Sequence, residues 1–175
     1  MYSTEMPTVA SSIAPATTQP PQKLDGCKHY QLLSDATRTV TYNDGSNKKC
    51  DDKLYGWYRF TGDAGNRILD YCPRTANTSA NQTYICGSEM QGWIPSGSMP
   101  SIYQGEVSRM VCFSGYGSCS CQNSTQVRVR NCGRFYVYWL DSVPECNQRY
   151  CGVKGMSWSV LTAWEEQALP RKFLD

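Results

Sequence analysis

The chain has 175 residues, of which 40% are hydrophobic, and a formal net charge of +2. This length suits one domain with tails, and the balanced charge without a long basic run argues against nucleic acid or an anionic membrane as a partner. The sequence has no run of about 18 apolar residues, so we expect no transmembrane segment in this chain.

Residues 1–24 are rich in Ser, Thr and Pro. Such a segment buries too little apolar surface to offset the entropy of ordering, so we predict a disordered linker. If the protein is secreted, an O-glycosylated stalk and an unmodified tail are equal alternatives. The segment lacks the apolar core of a signal peptide. We therefore expect this chain to be a fragment of a longer secreted protein, or to lack its first exon.

All ten cysteines lie between Cys27 and Cys151. This density is typical of extracellular domains held by disulfides, and the even number permits full pairing. A zinc site is the alternative. It fits poorly, because the chain has one Cys-x-Cys pair, one Cys-x4-Cys pair and a single histidine, His29.

Strand patterns dominate the segment that contains the cysteines. The aromatic run Gly56–Phe60 predicts a strand, and Val127–Arg130 alternates apolar and cationic residues, as a strand with one exposed face does. A turn at Gly133 and the run Phe135–Leu140 complete a predicted hairpin. Gly, Pro and Ser between Cys86 and Cys112 predict an irregular loop. We predict a mainly β fold: a small, disulfide-rich, antiparallel domain over residues 25–152 with long loops.

Residues 153–175 form a predicted tail of different character. Apolar residues near helical spacing, followed by Pro170, indicate a short amphipathic helix or coil: Trp158, Leu161, Trp164 and Ala168. The start of a truncated neighbouring segment is the alternative that we favour.

Three N-x-Ser/Thr sequons occur, at Asn77, Asn81 and Asn123. Two of them lie between Cys72 and Cys86, where a loop would accommodate a glycan easily. We expect at least one to be glycosylated after export. A displayed glycan could serve lectins, although glycans more often aid solubility and folding.

Catalytic patterns are weak throughout the sequence. A Ser–His–Asp site would depend on His29, and bonded cysteines exclude a Cys–His pair. Asp51 and Asp52 are adjacent and point to opposite faces of an extended chain, so we interpret them as a turn element; Asp63 and Asp70 mark no cleft. No calcium-loop spacing is present. We expect no enzyme activity, no cofactor and no metal.

Six aromatic residues could form a platform on which a sugar stacks: Trp57, Tyr58, Trp93, Tyr136, Tyr138 and Trp139. Half of the residues on alternating strands must face the core, so core packing is the stronger interpretation. Trp57 and Phe60 fall on opposite faces and cannot both contact one ligand.

Five motifs in order resemble one known family. They are CDDKLYGWYRFTGDAG (50–65), CP (72–73), GWIPSGSMP (92–100), RNCGRFYVYWL (130–140) and PECNQRYC (144–151). Together they resemble the extracellular eight- or ten-cysteine domain of the family that includes uromodulin, pancreatic zymogen-granule membrane glycoprotein and liver-specific zona pellucida protein. The resemblance covers residues 27–152 and neither tail.

The resemblance implies a non-catalytic, mainly β module that accompanies EGF-like and zona pellucida modules. It also implies a bridge pattern: Cys27–Cys132, Cys50–Cys146, Cys72–Cys119, Cys86–Cys151 and Cys112–Cys121. Three of these bridges would attach the C-terminal hairpin and its exit to the N-terminal half of the domain.

The chain also departs from the family. In uromodulin a high-mannose glycan in this module binds bacterial pilus adhesins, but its asparagine aligns with Trp139 here, so that activity is not implied. The adjacent cysteine pair of uromodulin becomes Cys119-Ser120-Cys121. The segment between Cys72 and Cys86 is longer.

We interpret the chain as a secreted, glycosylated, non-catalytic interaction or matrix module stabilised by five disulfides. Its expected partner is an extracellular protein or glycan. The alternatives are a lectin-like carbohydrate-binding domain and a fragment of a zona-pellucida-type filament protein.

Overall fold

The computed structural model describes residues 24–73, 84–95, 99–115 and 118–155. Most of the predicted linker (1–24) and of the predicted tail (153–175) lies outside the described residues. Within them are three short 3-10 helices, Ala36–Arg38, Gly62–Ala64 and Ile102–Gln104. The strands are β1 (Gln31–Leu33), β2 (Tyr55–Phe60), β3 (Arg67–Ile68), β4 (Met90–Trp93), β5 (Glu106–Gly115), β6 (Asn123–Asn131), β7 (Tyr136–Asp141), β8 (Gln148–Tyr150) and β9 (Gly152–Val153). The prediction of a mainly β domain is confirmed.

Seven strands form one sheet in the order β1-β2-β7-β6-β5-β4-β8, and β3 pairs with β9 separately. The sheet is antiparallel except at β1–β2 and β4–β8, which run parallel at its two edges. Parallel neighbours require a long crossover connection, here residues 34–54 and 94–147. The antiparallel prediction therefore holds for the centre of the sheet and not for its edges.

β6 and β7 form the predicted hairpin, with Arg128 opposite Trp139. Gly133 in its turn has a φ of 87°, a conformation that glycine adopts without steric cost. The backbone N–H of Cys132 donates to the carbonyl oxygen of Phe135 at 2.8 Å and closes the turn. The predicted aromatic strand, β2, lies on the other side of β7.

The predicted irregular loop between Cys86 and Cys112 is wrong, because this segment contains β4 and the first part of β5. All four residues of β4 are buried, so the strand shows no alternation of polar and apolar residues. Gly92 suggested a loop, but it marks close packing. A Cβ there would lie 2.7 Å from the ring of Phe113 and 2.9 Å from the backbone oxygen of Arg149.

The main core lies on one face of the sheet and is built on aromatic pairs. The rings of Phe60 and Tyr138 meet edge to face at 5.7 Å, and those of Phe113 and Tyr150 at 5.5 Å. The Tyr138 hydroxyl accepts a hydrogen bond from the backbone N–H of Ile68 at 3.2 Å. Burial raises the pKa of Tyr138, so this hydroxyl stays neutral. A second cluster surrounds two disulfides and contains Leu69, Ile85, Trp93, Cys86, Cys112 and Cys151.

Five disulfides close the domain, and their pairs coincide with those that the resemblance implied. Three of them connect residues separated by 105, 96 and 65 positions, and so attach the C-terminal hairpin and β8 to the first half of the chain. The bonds are Cys27–Cys132, Cys50–Cys146, Cys72–Cys119, Cys86–Cys151 and Cys112–Cys121.

Candidate functional site

The outer face of the sheet carries a group of aromatic side chains at β2 and β7. Side chains alternate along a strand, so Tyr58 and Tyr138 point into the core while their neighbours point outward. The outward residues are Tyr55 and Trp57 on β2 and Trp139 on β7, with Trp57 directly opposite Trp139. We call these three residues the outer aromatic trio.

The rings of the trio hold one another in fixed orientations. Trp139 meets Tyr55 edge to face at 5.4 Å and Trp57 edge to face at 5.8 Å. The Trp139 Nε1–H also donates to the Asp141 Oδ1 at 3.1 Å. Tyr55 is 73% exposed and Trp57 only 4% exposed. The trio therefore presents the Tyr55 ring to solvent in contact with Trp139, which in turn packs on the buried Trp57.

Arg128, on β6, fills the space beside the two tryptophans. Its guanidinium lies 4.4 Å from the ring centroid of Trp139 and 5.3 Å from that of Trp57. Glu106 on β5 pairs with the Arg128 Nη1 at 3.0 Å. The cation–π position next to these rings is thus occupied by a cation of the protein itself.

A turn before β1 covers Trp57 and forms one wall of a groove. Gly26 lies so close that a Cβ would be 2.5 Å from the Trp57 indole, which explains the glycine. The Asp25 carboxylate accepts from the backbone N–H of Cys27 at 3.0 Å and from Arg130 at 2.9 Å. The turn is therefore anchored to the hairpin by an ion pair as well as by the Cys27–Cys132 disulfide.

The groove between this turn and the aromatic trio has a volume of about 460 Å³. Gly56, one of the residues that line it, has a φ of 127° and no atom within 4 Å of where a Cβ would lie. The lining combines aromatic rings with His29 and Gln31, both exposed. The lining residues are Leu24, His29, Tyr30, Gln31, Tyr55, Gly56, Trp57 and Trp139. Such a groove can bind a ligand that has an apolar face and polar edges.

Of the six aromatic residues predicted as a platform, only Trp57 and Trp139 line this groove. Tyr58 and Tyr138 belong to the main core, as the core interpretation predicted. Trp93 is buried, and its Nε1–H donates to the Ser114 Oγ at 2.6 Å. Tyr136 is half-buried against the core.

The sequence interpretation missed the most exposed member of the trio, Tyr55. Alternation along β2 contains the signal, because Tyr55 is two residues from Trp57 and so faces the same side.

Two of the carboxylates considered for catalysis form ion pairs within the fold, Asp51 with Arg38 and Asp70 with Arg67. Asp51 is buried and accepts from Arg38 at 2.6 and 2.8 Å. Within the part of the chain that the structure describes, one cluster of three metal-ligand side chains occurs: Cys50, Asp52 and Cys146. Its two sulfur atoms are bonded to each other, which leaves a single carboxylate.

The described residues include one of the three sequon asparagines. Asn123 is exposed at the first position of β6. Asn77 and Asn81 lie outside the described residues.

Comparison with known proteins identifies the family of the chain. The profile of the uromodulin-like domain family matches residues 58–152, and the chain belongs to this family. The chain is 36% identical over 131 residues to the pancreatic secretory granule membrane major glycoprotein GP2 of Mus musculus, covering 73% of this chain and 23% of that protein. It is 38% identical over 128 residues to uromodulin of Mus musculus, covering 73% and 18%. It is 33% identical over 141 residues to GP2 of Homo sapiens, covering 80% and 24%.

The chain spans about a quarter or less of the length of these relatives. Among the described residues, no helix is long and apolar enough to cross a membrane. A domain with five disulfides, in a family of such glycoproteins, belongs to the extracellular or cell-surface environment.

Proposed function

We propose that this chain is a non-catalytic, glycosylated interaction module that binds an extracellular ligand through the outer aromatic trio. The observation that carries the proposal is Tyr55, an aromatic ring that is 73% exposed and yet oriented by Trp139. Exposed aromatic residues on a rigid support are typical of binding surfaces.

The disulfides support this function by fixing the parts of the surface relative to one another. Cys27–Cys132 connects the turn that walls the groove to the hairpin that carries Trp139. A surface that is already ordered loses less entropy when a ligand binds. The sheet and turn can therefore act as a preformed site.

The placement of charged groups supports a non-catalytic role. Asp51 is paired with Arg38 inside the domain, and Arg149 pairs with Asp35 at 2.9 Å. These charged groups connect segments of the fold and do not converge on the groove. His29, whose imidazole lines the groove, is exposed to solvent, and the carboxylates of Asp51 and Asp35 are paired with arginines instead.

Glycosylation is proposed at Asn77, Asn81 and Asn123. Exposure of Asn123 on the sheet supports modification there, because the transferring enzyme needs an accessible asparagine. The other two sequons lie between Cys72 and Cys86 in the sequence.

The test is a binding assay with the full chain, secreted from cultured cells behind a heterologous signal peptide. Labelled wild-type protein is applied to epithelial cell surfaces and to immobilised matrix proteins, beside Tyr55→Ala and Tyr103→Ala. Tyr103 is 95% exposed on the Ile102–Gln104 helix and serves as the matched control. We expect saturable binding that Tyr55→Ala weakens and Tyr103→Ala does not. Binding that is absent, or equal in all three proteins, would refute the proposed surface.

A further inference from the structure

We propose that the groove beside the outer aromatic trio binds a neutral pyranose ring of an extracellular glycan. The sugar would stack on Tyr55 and contact Trp139 with its edge. This inference rests on the proposed function, because it names the ligand class of the same surface.

The first argument is the shape and orientation of the aromatic wall. The C–H face of a pyranose packs on the electron-rich face of an aromatic ring. Tyr55 projects most of its surface into solvent, while its edge-to-face contact with Trp139 limits its rotation. The hydrogen bond from Trp139 to Asp141 fixes the second ring. Both rings are therefore oriented before a ligand arrives.

The second argument is charge. Aromatic corners also bind quaternary ammonium groups, by cation–π attraction. Here Arg128 already lies over Trp139 and Trp57, so the cation–π position is filled and a second cation cannot occupy it. Arg128 is neutralised by Glu106, so the surface does not attract a strong anion either. A neutral ligand fits this balance best.

The third argument is the polar rim. His29 and Gln31 are exposed residues of the groove lining, and the Tyr55 hydroxyl stands at the edge of the stacking ring. These groups offer both donors and acceptors, which the hydroxyl groups of a sugar require. Leu24 is the one aliphatic side chain in the lining. An apolar peptide side chain would need a more aliphatic and more closed pocket.

The fourth argument is size. The groove volume of about 460 Å³ lies in the range of about 300–1,000 Å³ that is usual for small-ligand sites. The groove opens to solvent, so a substituent or glycosidic bond can extend from the bound ring. The site is therefore suited to one or a few sugar units within a longer glycan.

The test uses the secreted full chain after enzymatic removal of its own N-glycans, so that they cannot occupy the groove. The protein is applied to an array of neutral, sialylated and sulfated glycans, and the best neutral oligosaccharide is then titrated by calorimetry. The variants are Tyr55→Ala, Tyr55→Phe and, as the matched control, Tyr103→Ala. Near-ultraviolet circular dichroism checks that each variant keeps the native fold.

We expect a neutral glycan to bind the wild type, and Tyr55→Ala to weaken that binding roughly 10-fold through loss of stacking. Tyr55→Phe keeps the ring and should bind within about 3-fold of the wild type, because one exposed hydroxyl contributes little. Tyr103→Ala should bind like the wild type. No neutral glycan bound, or equal affinities for wild type and Tyr55→Ala, would overturn the inference.

The two proposals fail in different ways. If no glycan binds, but Tyr55-dependent binding to cell surfaces survives glycosidase treatment of those surfaces, the saccharide class is wrong and the interaction surface stands. If neither assay shows a dependence on Tyr55, both proposals are wrong.

Discussion

Arg38 and Asp51 form a buried, two-pronged ion pair that holds the two halves of the domain together. The Arg38 Nη1 and Nη2 donate to the two carboxylate oxygens at 2.8 and 2.6 Å, and the residues are 6% and 2% exposed. The Asp51 Oδ2 also accepts from the backbone N–H of Tyr150 at 2.9 Å, and Arg38 donates to its carbonyl oxygen at 3.1 Å. The pair thereby connects the Ala36–Arg38 helix to β8.

Replacement of Asp51 by Asn should destabilise the domain strongly. The change leaves the Arg38 guanidinium buried without a countercharge, which costs about 3–5 kcal/mol in comparable pairs. Denaturant unfolding with the disulfides intact measures the free energy. The neighbouring exposed residue gives the control: Asp52→Asn should change stability by no more than about 0.5 kcal/mol. Equal stabilities of the two variants would show that the buried pair is not needed.

Acid should remove the contribution of a second pair, Asp35–Arg149. Burial acts to raise the pKa of Asp35, but hydrogen bonds from Thr37 and Arg149 outweigh it and lower this pKa to about 2. The lower folded-state pKa means that the ionised carboxylate stabilises the fold above the unfolded value of about 3.9. That contribution is lost as the pH falls from about 4 to about 2.

The corresponding variant is Asp35→Asn. The Asp35 side chain is 47% exposed, so solvent screening should limit its contribution to about 1 kcal/mol or less. We expect the variant to lose stability at pH 7 and to show a shallower decline between pH about 4 and about 2. If the free energy of unfolding of the variant falls as steeply as that of the wild type between pH about 4 and about 2, this role of Asp35 is contradicted.

Loss of a long-range disulfide should also impair folding. Replacement of Cys146 by Ser leaves Cys50 without its partner and opens a bridge that spans 96 positions. The chain-entropy account gives about 3–5 kcal/mol for such a bridge, so we expect retention or misfolding during secretion. The wild type should likewise lose its ordered structure, as measured by circular dichroism, in strong reductant.

Peptide mapping under non-reducing conditions tests the bridge pattern itself. The expected fragments contain the Cys72–Cys119 and Cys112–Cys121 bonds. A bond between Cys119 and Cys121, or between Cys146 and Cys151, would be incompatible with the fold.

Sequon removal should lower the mass of the secreted protein. Asn77→Gln, Asn81→Gln and Asn123→Gln are compared singly and together by mass spectrometry, with glycosidase-treated wild type as the reference. We expect at least one single variant to lose the mass of one glycan. If the triple variant and the wild type have masses that differ only by the substitutions, glycosylation is not part of the function.

Local sequence pattern predicted the parts of the fold whose strands have one exposed face. The hairpin was predictable because Val127–Arg130 alternates, and β2 because its aromatic run is bounded by a turn. β4 was not predictable, since burial on both faces removes the alternation and Gly92 resembles a loop residue. The parallel edge strands depend on long crossovers that local pattern does not encode.

The candidate site was only half predictable. Trp57 and Trp139 were identified as aromatic residues, but their pairing requires the β2–β7 register, which joins segments about 80 residues apart in the sequence. Asp51 was interpreted as a turn element from its adjacency to Asp52, and local sequence does not show that Arg38, 13 residues away, is its partner. The groove also needs the turn at residues 25–29, which the Cys27–Cys132 disulfide holds against the sheet.

The central claim is that a neutral glycan binds in the groove that Trp139 borders. The most direct test follows the tryptophan indole N–H resonances of the isotope-labelled chain while the neutral glycan found on the array is added. We predict that the Trp139 indole signal shifts with the ligand, since this ring borders the groove and its N–H bonds to Asp141. The Trp93 indole, buried and bonded to Ser114, should stay unchanged. Saturable binding that shifts Trp93 and leaves Trp139 in place would contradict the account.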